Sequence, residues 1–265
     1  MSEAIIRLGV FFIVLFIMAT VELIFPKEEQ TLSKGKRYFI NFSFPLLSNI
    51  ALKTLVPFSA ASVALLANEN GWGLLALDSL AFVPFLVQVI VSIAFLDLII
   101  YTQHLIFHRY PLLWRLHKVH HIDQEIDVST ALRFHPVEII LSALIKCFFV
   151  LLLGVPFVAV VVFEVLLNAM AMFNHANIDL SKKTDAWLRR FVVTPDMHRV
   201  HHSTIDHELN SNFGFNLSLW DKLFHTYTKE PQKGHSSMNI GLEKYQEFEK
   251  YPLWKLLFLP FYKQG

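Results

Sequence analysis

The sequence DLIIYTQHLIFHRYPLLWRLHKVHH, residues 97–121, joins the end of a long apolar run to a group of histidines. His104 and His108 are four residues apart, a spacing that puts both side chains on one helix face, roughly 6 Å apart. An HxxHH pattern follows, formed by His117, His120 and His121. The stretch therefore predicts a membrane-spanning helix that ends in a group of imidazoles.

The HxxHH pattern occurs again later in the chain, as His198, His201 and His202. His175 stands between the two triplets, in the sequence NHAN. A single histidine in an apolar helix is usually a packed core residue. Neighbouring histidines, however, repel one another when protonated and lose hydration when buried, so packing alone gives no reason to gather them. The clustering favours a metal site over a structural core, and it leaves the role of His135, in RFHP, open.

The composition indicates a membrane protein. Of 265 residues, 54% are hydrophobic and only 17% are charged, against roughly 25% charged in soluble domains. The net charge of +1 gives no basic excess for binding nucleic acid. Cys147 is the one cysteine, so a disulfide framework and a cysteine-based metal site are both excluded.

Five apolar runs approach the roughly 20 helical residues that cross a hydrocarbon core about 30 Å thick. They cover residues 5–25, 44–67, 81–107, 137–153 and 156–173. The first run lacks a small-residue cleavage site, so we predict a retained span and not a signal peptide. The short joint at Gly154, Val155 and Pro156 predicts a tight helical hairpin. The predicted fold class is an all-α integral-membrane bundle of four or five spans, one domain over 1–265, with a cytosolic helical cap at 176–265.

Lysine and arginine in the short connections predict the orientation. The predicted loop at 26–43 and the segment at 108–136 each carry four basic residues, whereas 68–80 carries none. Five spans that start outside put all basic segments and all histidine groups on the cytosolic side. Short loops and the absence of retention signals favour a bacterial inner membrane over the endoplasmic reticulum.

Two further predictions concern polar residues near or inside the spans. Lys146 and Glu164 each lie eight residues from the hairpin joint, so they should pair at matching depth as a structural ion pair. Ligand imidazoles usually donate their second N–H to a carboxylate or carbonyl. The candidates for such supporting contacts are Asp97, Tyr101, His135 and Asn174, with Glu138, Asp196, Asp206 and Asp221 unranked. Asp97 is expected to act through Tyr101 or on a histidine of another helix.

The ligand chemistry restricts the possible metals without identifying one. Sites made only of imidazole suit zinc, copper, iron or nickel. A hydrolytic zinc normally takes three protein ligands and keeps one open position. Eight or nine histidines are too many for one ion and suit two, and the HExxH pattern of zinc proteases is absent. A two-metal centre at a membrane face points to redox chemistry on a lipid.

The chain resembles the fatty acid hydroxylase / sterol desaturase superfamily of integral-membrane di-iron enzymes. The resemblance covers about residues 95–230 and includes three histidine boxes in order. It rests on the 97–121 stretch together with RFHPVE at 133–138, FNHANI at 173–178, TPDMHRVHHS at 194–203 and NFGFNLSLWDKLFHTY at 212–227. The chain departs from many relatives at Leu105, where they have arginine, and at His225, where they often have glycine.

The resemblance implies a catalytic centre with two iron ions, which zinc can replace during heterologous expression. The implied catalytic ligands are His104, His108, His117, His120, His121, His198, His201 and His202, with His175 as a ninth. It also implies that O2 and external electrons oxidise an unactivated C–H bond of a lipid, by hydroxylation or desaturation. The substrate class stays open among sterols, fatty acyl chains, carotenoids, alkylglycerols and amino-acid-containing lipids.

Two other functions compete with this interpretation. A metal transporter should carry polar or histidine residues at mid-bilayer on several spans, but the histidines here gather at one end of the spans. A zinc-dependent membrane hydrolase needs fewer ligands. His135-Pro136 is not followed by the glycine pair of a haem-binding cytochrome b5 motif. Electrons are therefore expected from a separate cytochrome b5, ferredoxin or reductase.

Overall fold

A computed structural model describes residues 3–80, 82–247 and 250–262. In these residues all regular structure is helical, apart from three isolated β-bridges. The long helices are α1 (Glu3–Ile24), α2 (Lys34–Leu55), α3 (Ala60–Asn70), α4 (Phe85–Arg109), α5 (Pro111–His121), α6 (Pro136–Leu153) and α7 (Phe157–His175). Short helices follow as α8 (Lys182–Leu188), α9 (Pro195–His201), α10 (Asp206–Leu209), α11 (Leu219–Leu223) and α12 (Leu253–Phe258).

Five segments are long and apolar enough to cross a membrane: Ile5–Ile24, Lys34–Ala76, Phe85–Arg109, Pro136–Leu153 and Phe157–His175. The protein is thus an all-α membrane helical bundle, as its sequence predicts. The predicted start of the third span at Ala81 lies outside the described residues, and its helix runs two residues past the predicted end, to Arg109.

The second span differs from the prediction in two ways. The segment 34–43, expected as loop, is the first part of α2, because the Arg37 and Asn41 side chains find buried partners in the segment after α5. The run predicted at 44–67 is broken between α2 and α3. Pro57 causes the break, since proline has no N–H to donate and disfavours helical geometry at the preceding residue. Val56 is accordingly extended, with φ −130° and ψ 83°.

The hairpin turn forms where it was predicted, but its two arms enclose a third helix. Gly154 ends α6 at a φ of +67°, and a Cβ there would lie 2.3 Å from the carbonyl oxygen of Trp72. Both the left-handed conformation and the close approach therefore require glycine. The small face of α3, formed by Ala60, Ala61 and Ala64, packs against both α6 and α7.

The predicted pair between Lys146 and Glu164 is confirmed. The Lys146 ammonium donates to Oε1 of Glu164, which is buried between the helices. An unpredicted third member, Arg7 of α1, places its Nη2 2.6 Å from the other carboxylate oxygen of Glu164. The three charges thus join α1, α6 and α7 within the membrane-spanning part of the bundle.

A buried ionic network fixes the opposite end of the bundle. Arg37 of α2 donates to both carboxylate oxygens of Asp123, at 2.9 and 3.1 Å, and to Asp127 at 2.6 Å. Glu22, near the end of α1, accepts the backbone N–H groups of Val128 and Asn177 at 2.7 and 2.6 Å. These contacts connect the helix ends to the segments that follow α5 and α7, which are the segments that frame the histidines.

Candidate metal centre

All nine histidines predicted as ligands meet at one end of the bundle, in two adjacent groups. In each group the candidate ligand atoms lie within 4.8 Å of one another. The group of five contains His104, His108, His117, His121 and His201. The group of four contains His120, His175, His198 and His202. Two separate imidazole clusters are the arrangement that a dinuclear site requires.

Helical spacing explains how each histidine reaches its group. The i, i+4 pair of α4 joins the group of five, as do the first and last histidines of the triplet on α5. His120 points instead to the group of four, beside His175 in the last turn of α7. The second triplet divides with the groups exchanged. Its first and last histidines, His198 on α9 and His202 just after it, join the group of four, and His201 at the end of α9 joins the group of five. Both triplets therefore bridge the two groups.

Four of the histidines have their Nδ1 atom held by a group that can only accept a hydrogen bond. His104 donates to the Phe213 carbonyl at 2.8 Å, His201 to Ser211 at 2.7 Å and His175 to Ala171 at 2.7 Å. His117 donates to the Glu138 carboxylate at 2.6 Å. Because the hydrogen sits on Nδ1, the Nε2 of each neutral ring carries a lone pair.

Five of the clustered imidazoles, those of His120, His121, His198, His201 and His202, are neutral at physiological pH. Burial lowers the pKa of His201 to about 3. Burial and the neighbouring imidazoles hold the pKa values of His120, His121, His198 and His202 well below the usual range of histidine. A neutral imidazole is the form that binds a metal ion.

The facing lone pairs fit a bound cation. The Nε2 atom of His104 lies 3.1 Å from that of His117 and 3.0 Å from that of His201. In neutral rings whose hydrogen is on Nδ1, none of these three atoms has a hydrogen to donate, so their approach is repulsive unless a cation lies between them. Metal–nitrogen distances of about 2.0–2.1 Å place two ligands at a right angle about 3 Å apart. The donor set therefore fits an imidazole-binding transition metal.

Aromatic rings close the site against water. Phe134 stacks on His120 with ring centroids 4.4 Å apart and an angle of 11°. Trp114 covers His108 at 4.8 Å, and Phe213 contacts the rings of His104 and His201. Such a rim keeps water away from the imidazoles.

Tyr101 contributes to a chain of contacts that ends at His104. Its hydroxyl lies 2.9 Å from the Thr226 hydroxyl, which donates to Asp221 at 2.7 Å. Asp221 in turn accepts the N–H groups of Phe213 and Gly214, both at 2.8 Å. The chain fixes the backbone whose Phe213 carbonyl holds the His104 ring.

Asp97 is buried as expected, but its predicted route to a histidine is wrong. Its carboxylate accepts the N–H groups of Asn216 and Leu217 at 3.3 and 3.0 Å and the Trp220 indole N–H at 2.8 Å. None of these contacts runs through Tyr101 or reaches a histidine. Asn174 acts on the same segment, donating to the Phe215 carbonyl at 2.6 Å. Both residues position the 213–220 segment.

His135 lies outside both groups and caps a helix. Its Nδ1 accepts the Val137 N–H at the start of α6, and its Nε2–H donates to the Leu257 carbonyl at 3.0 Å. Both ring nitrogens are thus occupied. Glu138, one turn into the same helix, makes the carboxylate contact to His117 that sequence reasoning left unranked. Its position in RFHPVE, two residues after the proline that starts α6, is the signal that could have raised its rank.

A family model named Fatty acid hydroxylase matches residues 89–226, just over half of the chain. The chain belongs to the fatty acid hydroxylase family. The matched range contains all nine clustered histidines together with Glu138, Asp97 and Asp221. No solved structure matches the chain.

The chain is similar to curated relatives from bacteria and animals. It is 27% identical to an ornithine lipid hydroxylase, OlsE, of Rhizobium tropici over 85% of this chain and 67% of that protein. It is 29% identical to an alkylglycerol monooxygenase of Danio rerio over 60% of this chain and 36% of that protein. It is 26% identical to the human alkylglycerol monooxygenase over 50% of this chain and 29% of that protein. The animal proteins thus match over about a third of their own length.

Proposed function

We propose that this chain is a membrane-bound di-iron oxygenase, which uses O2 and external electrons to oxidise an unactivated C–H bond of a lipid. The observation that supports this most is the pair of buried imidazole groups, one of five and one of four, at the end of a membrane bundle. Nine nitrogen donors exceed the needs of one ion and suit two. The names of the relatives, lipid hydroxylase and monooxygenase, favour hydroxylation over desaturation.

Bound iron would supply the O2 chemistry, and the chain's own residues prepare the place for it. The nine histidines would hold the metal ions, each ring presenting one nitrogen. Carbonyls of Phe213, Ser211 and Ala171 fix three of the rings, and Glu138 fixes His117 while adding basicity to its ring. Phe134 and Trp114 exclude water. These residues do not dictate which carbon reacts, which is set by how the lipid lies against the site.

The substrate we propose is a lipid with an apolar chain and a polar headgroup, of the kind named by the two sets of relatives. An ornithine lipid and an alkylglycerol share that design. The histidine end of the bundle would face the cytosol, where the basic segments lie, and the bacterial relative is consistent with an inner membrane. The electron donor would be a separate protein, and product formation by the purified enzyme without any donor would overturn this part.

Metal analysis tests the proposal. Mass spectrometry on detergent-purified protein should find about two irons per chain, and fewer in His120→Ala and in His201→Ala, which affect different groups. His207→Ala, a histidine outside both groups, is the matched control. Zinc in place of iron would call for reconstitution with iron before assay. No bound metal, or one ion untouched by both substitutions, would sink the oxygenase proposal.

Two alternatives predict different results. A metal transporter should move iron or zinc across a vesicle membrane, yet the clustered histidines of this chain lie at one end of the bundle. A zinc hydrolase should be active with zinc alone and without O2. Lipid profiling of cells that express the protein, with and without His201→Ala, separates both from an oxygenase, since only an oxygenase adds a hydroxyl group to a lipid.

A further inference from the structure

The segment around α8 and α11 lies beside the middle of a membrane-spanning helix, although it follows the last span in sequence. Asp97 accepts hydrogen bonds from Asn216, Leu217 and Trp220. Asp97 precedes His104 on α4 by seven residues, which is about 10 Å along the helix axis toward its middle. The start of α11 is therefore about 10 Å below the level of the histidines.

The length of α7 sets the depth of the histidines in the membrane. Its 19 residues span about 28 Å, close to the hydrocarbon thickness of about 30 Å. Its last residue, His175, has its Nε2 3.0 Å from those of His120 and His198. The histidine groups therefore lie near the boundary of the hydrocarbon. A segment about 10 Å below them lies inside it.

The outward face of this segment is apolar. Trp187 is 58% exposed, Leu223 57% and Phe191 59%. Leu219 shares one face of α11 with Leu223, being four residues away, and is also exposed. The patch lies directly against α4, because the half-exposed ring of Phe224 stacks on the buried Tyr101 with centroids 5.5 Å apart. It thus borders a membrane-spanning helix.

Several polar groups of the same segment bond to partners within the protein. The Lys222 ammonium donates to the carbonyls of Arg189 and Arg190 and to the Ser218 hydroxyl. Asp97 takes the free N–H groups of the turn before α11. Irregular backbone occurs at membrane depth only where its polar groups are satisfied by protein or by a water-filled cavity. The pattern suits a lipid environment better than an aqueous one.

We propose that residues 187–191 and 216–224 form a lobe that is immersed in the leaflet on the histidine side of the bilayer, with its apolar face against acyl chains. The occupant of this surface is lipid and not a second protein, because the patch borders a membrane-spanning helix and lies at hydrocarbon depth. A lipid could then reach the histidine end of α4 laterally, without leaving the bilayer. The proposal rests on the bundle and its contacts and is independent of the metal.

Spin labelling in vesicles tests this immersion. Single cysteines at Trp187 and at Leu223 would carry a nitroxide in a Cys147→Ala background, since the one native cysteine is buried. Phe16, 73% exposed on α1, is the reference for lipid, and Lys233, exposed on the cap, is the reference for water. O2 should accelerate the spin relaxation of both lobe labels, as it does for a label at Phe16. A water-soluble nickel reagent should accelerate their relaxation at least severalfold less than it does for a label at Lys233.

Two results would overturn the proposal. Labels at Trp187 and Leu223 that respond to the nickel reagent as Lys233 does would place the lobe in water. Labels that respond to neither reagent would place a protein on the patch, whether a second copy or another chain. Because all four positions are exposed, labelling leaves the core intact, and elution as a single species in detergent checks the fold. Neither result bears on metal content, so the proposed function is tested separately.

Discussion

At the scale of single residues, hydrogen bonds to the Nδ1 atoms fix the orientation of four of the imidazoles. Three rings are fixed by backbone carbonyls and one by a carboxylate. The carboxylate contact, from Glu138 to His117, is the one that a side-chain substitution can remove. It is therefore where the supporting contacts can be tested most directly.

We expect Glu138→Gln to weaken metal binding while leaving the fold intact. The amide keeps the size of the side chain but loses the charge that orients the His117 ring and increases its basicity. Loss of such a partner typically lowers metal affinity roughly 10–100-fold. Chelator competition on purified protein, followed by metal analysis, measures this change. Glu243→Gln, at an exposed position, is the control, and equal metal retention in both variants would contradict a supporting role for Glu138.

His135 offers the opposite test, because its ring nitrogens are both occupied away from the histidine groups. We expect His135→Ala to keep the full metal content but to lower the free energy of unfolding by about 1 kcal/mol through the lost helix cap. His135→Asn should recover part of that loss, since asparagine is a good N-cap. Thermal unfolding in detergent and metal analysis measure the two effects. A clear loss of metal in His135→Asn would mean that His135 is a ligand after all.

At the scale of elements, the sequence predicts what depends on neighbours along the chain. Helical spacing puts His104 with His108, and the charge-bearing runs on α6 and α7 place Lys146 level with Glu164. The sequence does not predict contacts that depend on how helices are arranged in space. The break at Pro57 allows α3 to turn and enter between α6 and α7, and Asp97 meets a segment more than a hundred residues later. Neither event leaves a local pattern.

His225 shows the same limit at a turn. It adopts a φ of 59°, a conformation that costs a non-glycine residue energy and that glycine adopts readily. The sequence shows the substitution, but only the backbone shows that the residue follows α11 in a left-handed turn. The departure from the family pattern thus changes local strain and touches no candidate ligand.

Substitutions within the membrane triad of Arg7, Lys146 and Glu164 should destabilise the protein to different extents. Lys146→Met leaves Glu164 paired with Arg7, whereas Glu164→Gln leaves two cations without their shared carboxylate. We expect the second change to destabilise the protein more, by roughly 3–5 kcal/mol, the range for breaking a buried pair, and the first by clearly less. Neither should change the activity per folded molecule, because the triad lies away from the histidines. Equal destabilisation, or lost activity in a folded variant, would contradict this structural role.

At the scale of the whole molecule, the two histidine groups connect different helices to the cap. The α4 helix contributes only to the group of five, and α7 contributes only to the group of four. The helices α5 and α9 contribute to both. If each group holds its own ion, the two ions should stabilise partly separate regions of the protein, because metal binding and folding are coupled.

Hydrogen exchange on metal-loaded protein in detergent tests this division. His175→Ala should speed exchange roughly tenfold or more at the end of α7 and in α9, while the end of α4 stays protected. His104→Ala should do the reverse, exposing the end of α4 and the 211–214 segment, whose carbonyls hold the histidines of that group. The outer halves of α1 and α6 are internal controls, since no candidate ligand lies on them. If both variants loosen the same segments to the same extent, the nine histidines act as a single cooperative unit, and the assignment of one ion to each group fails.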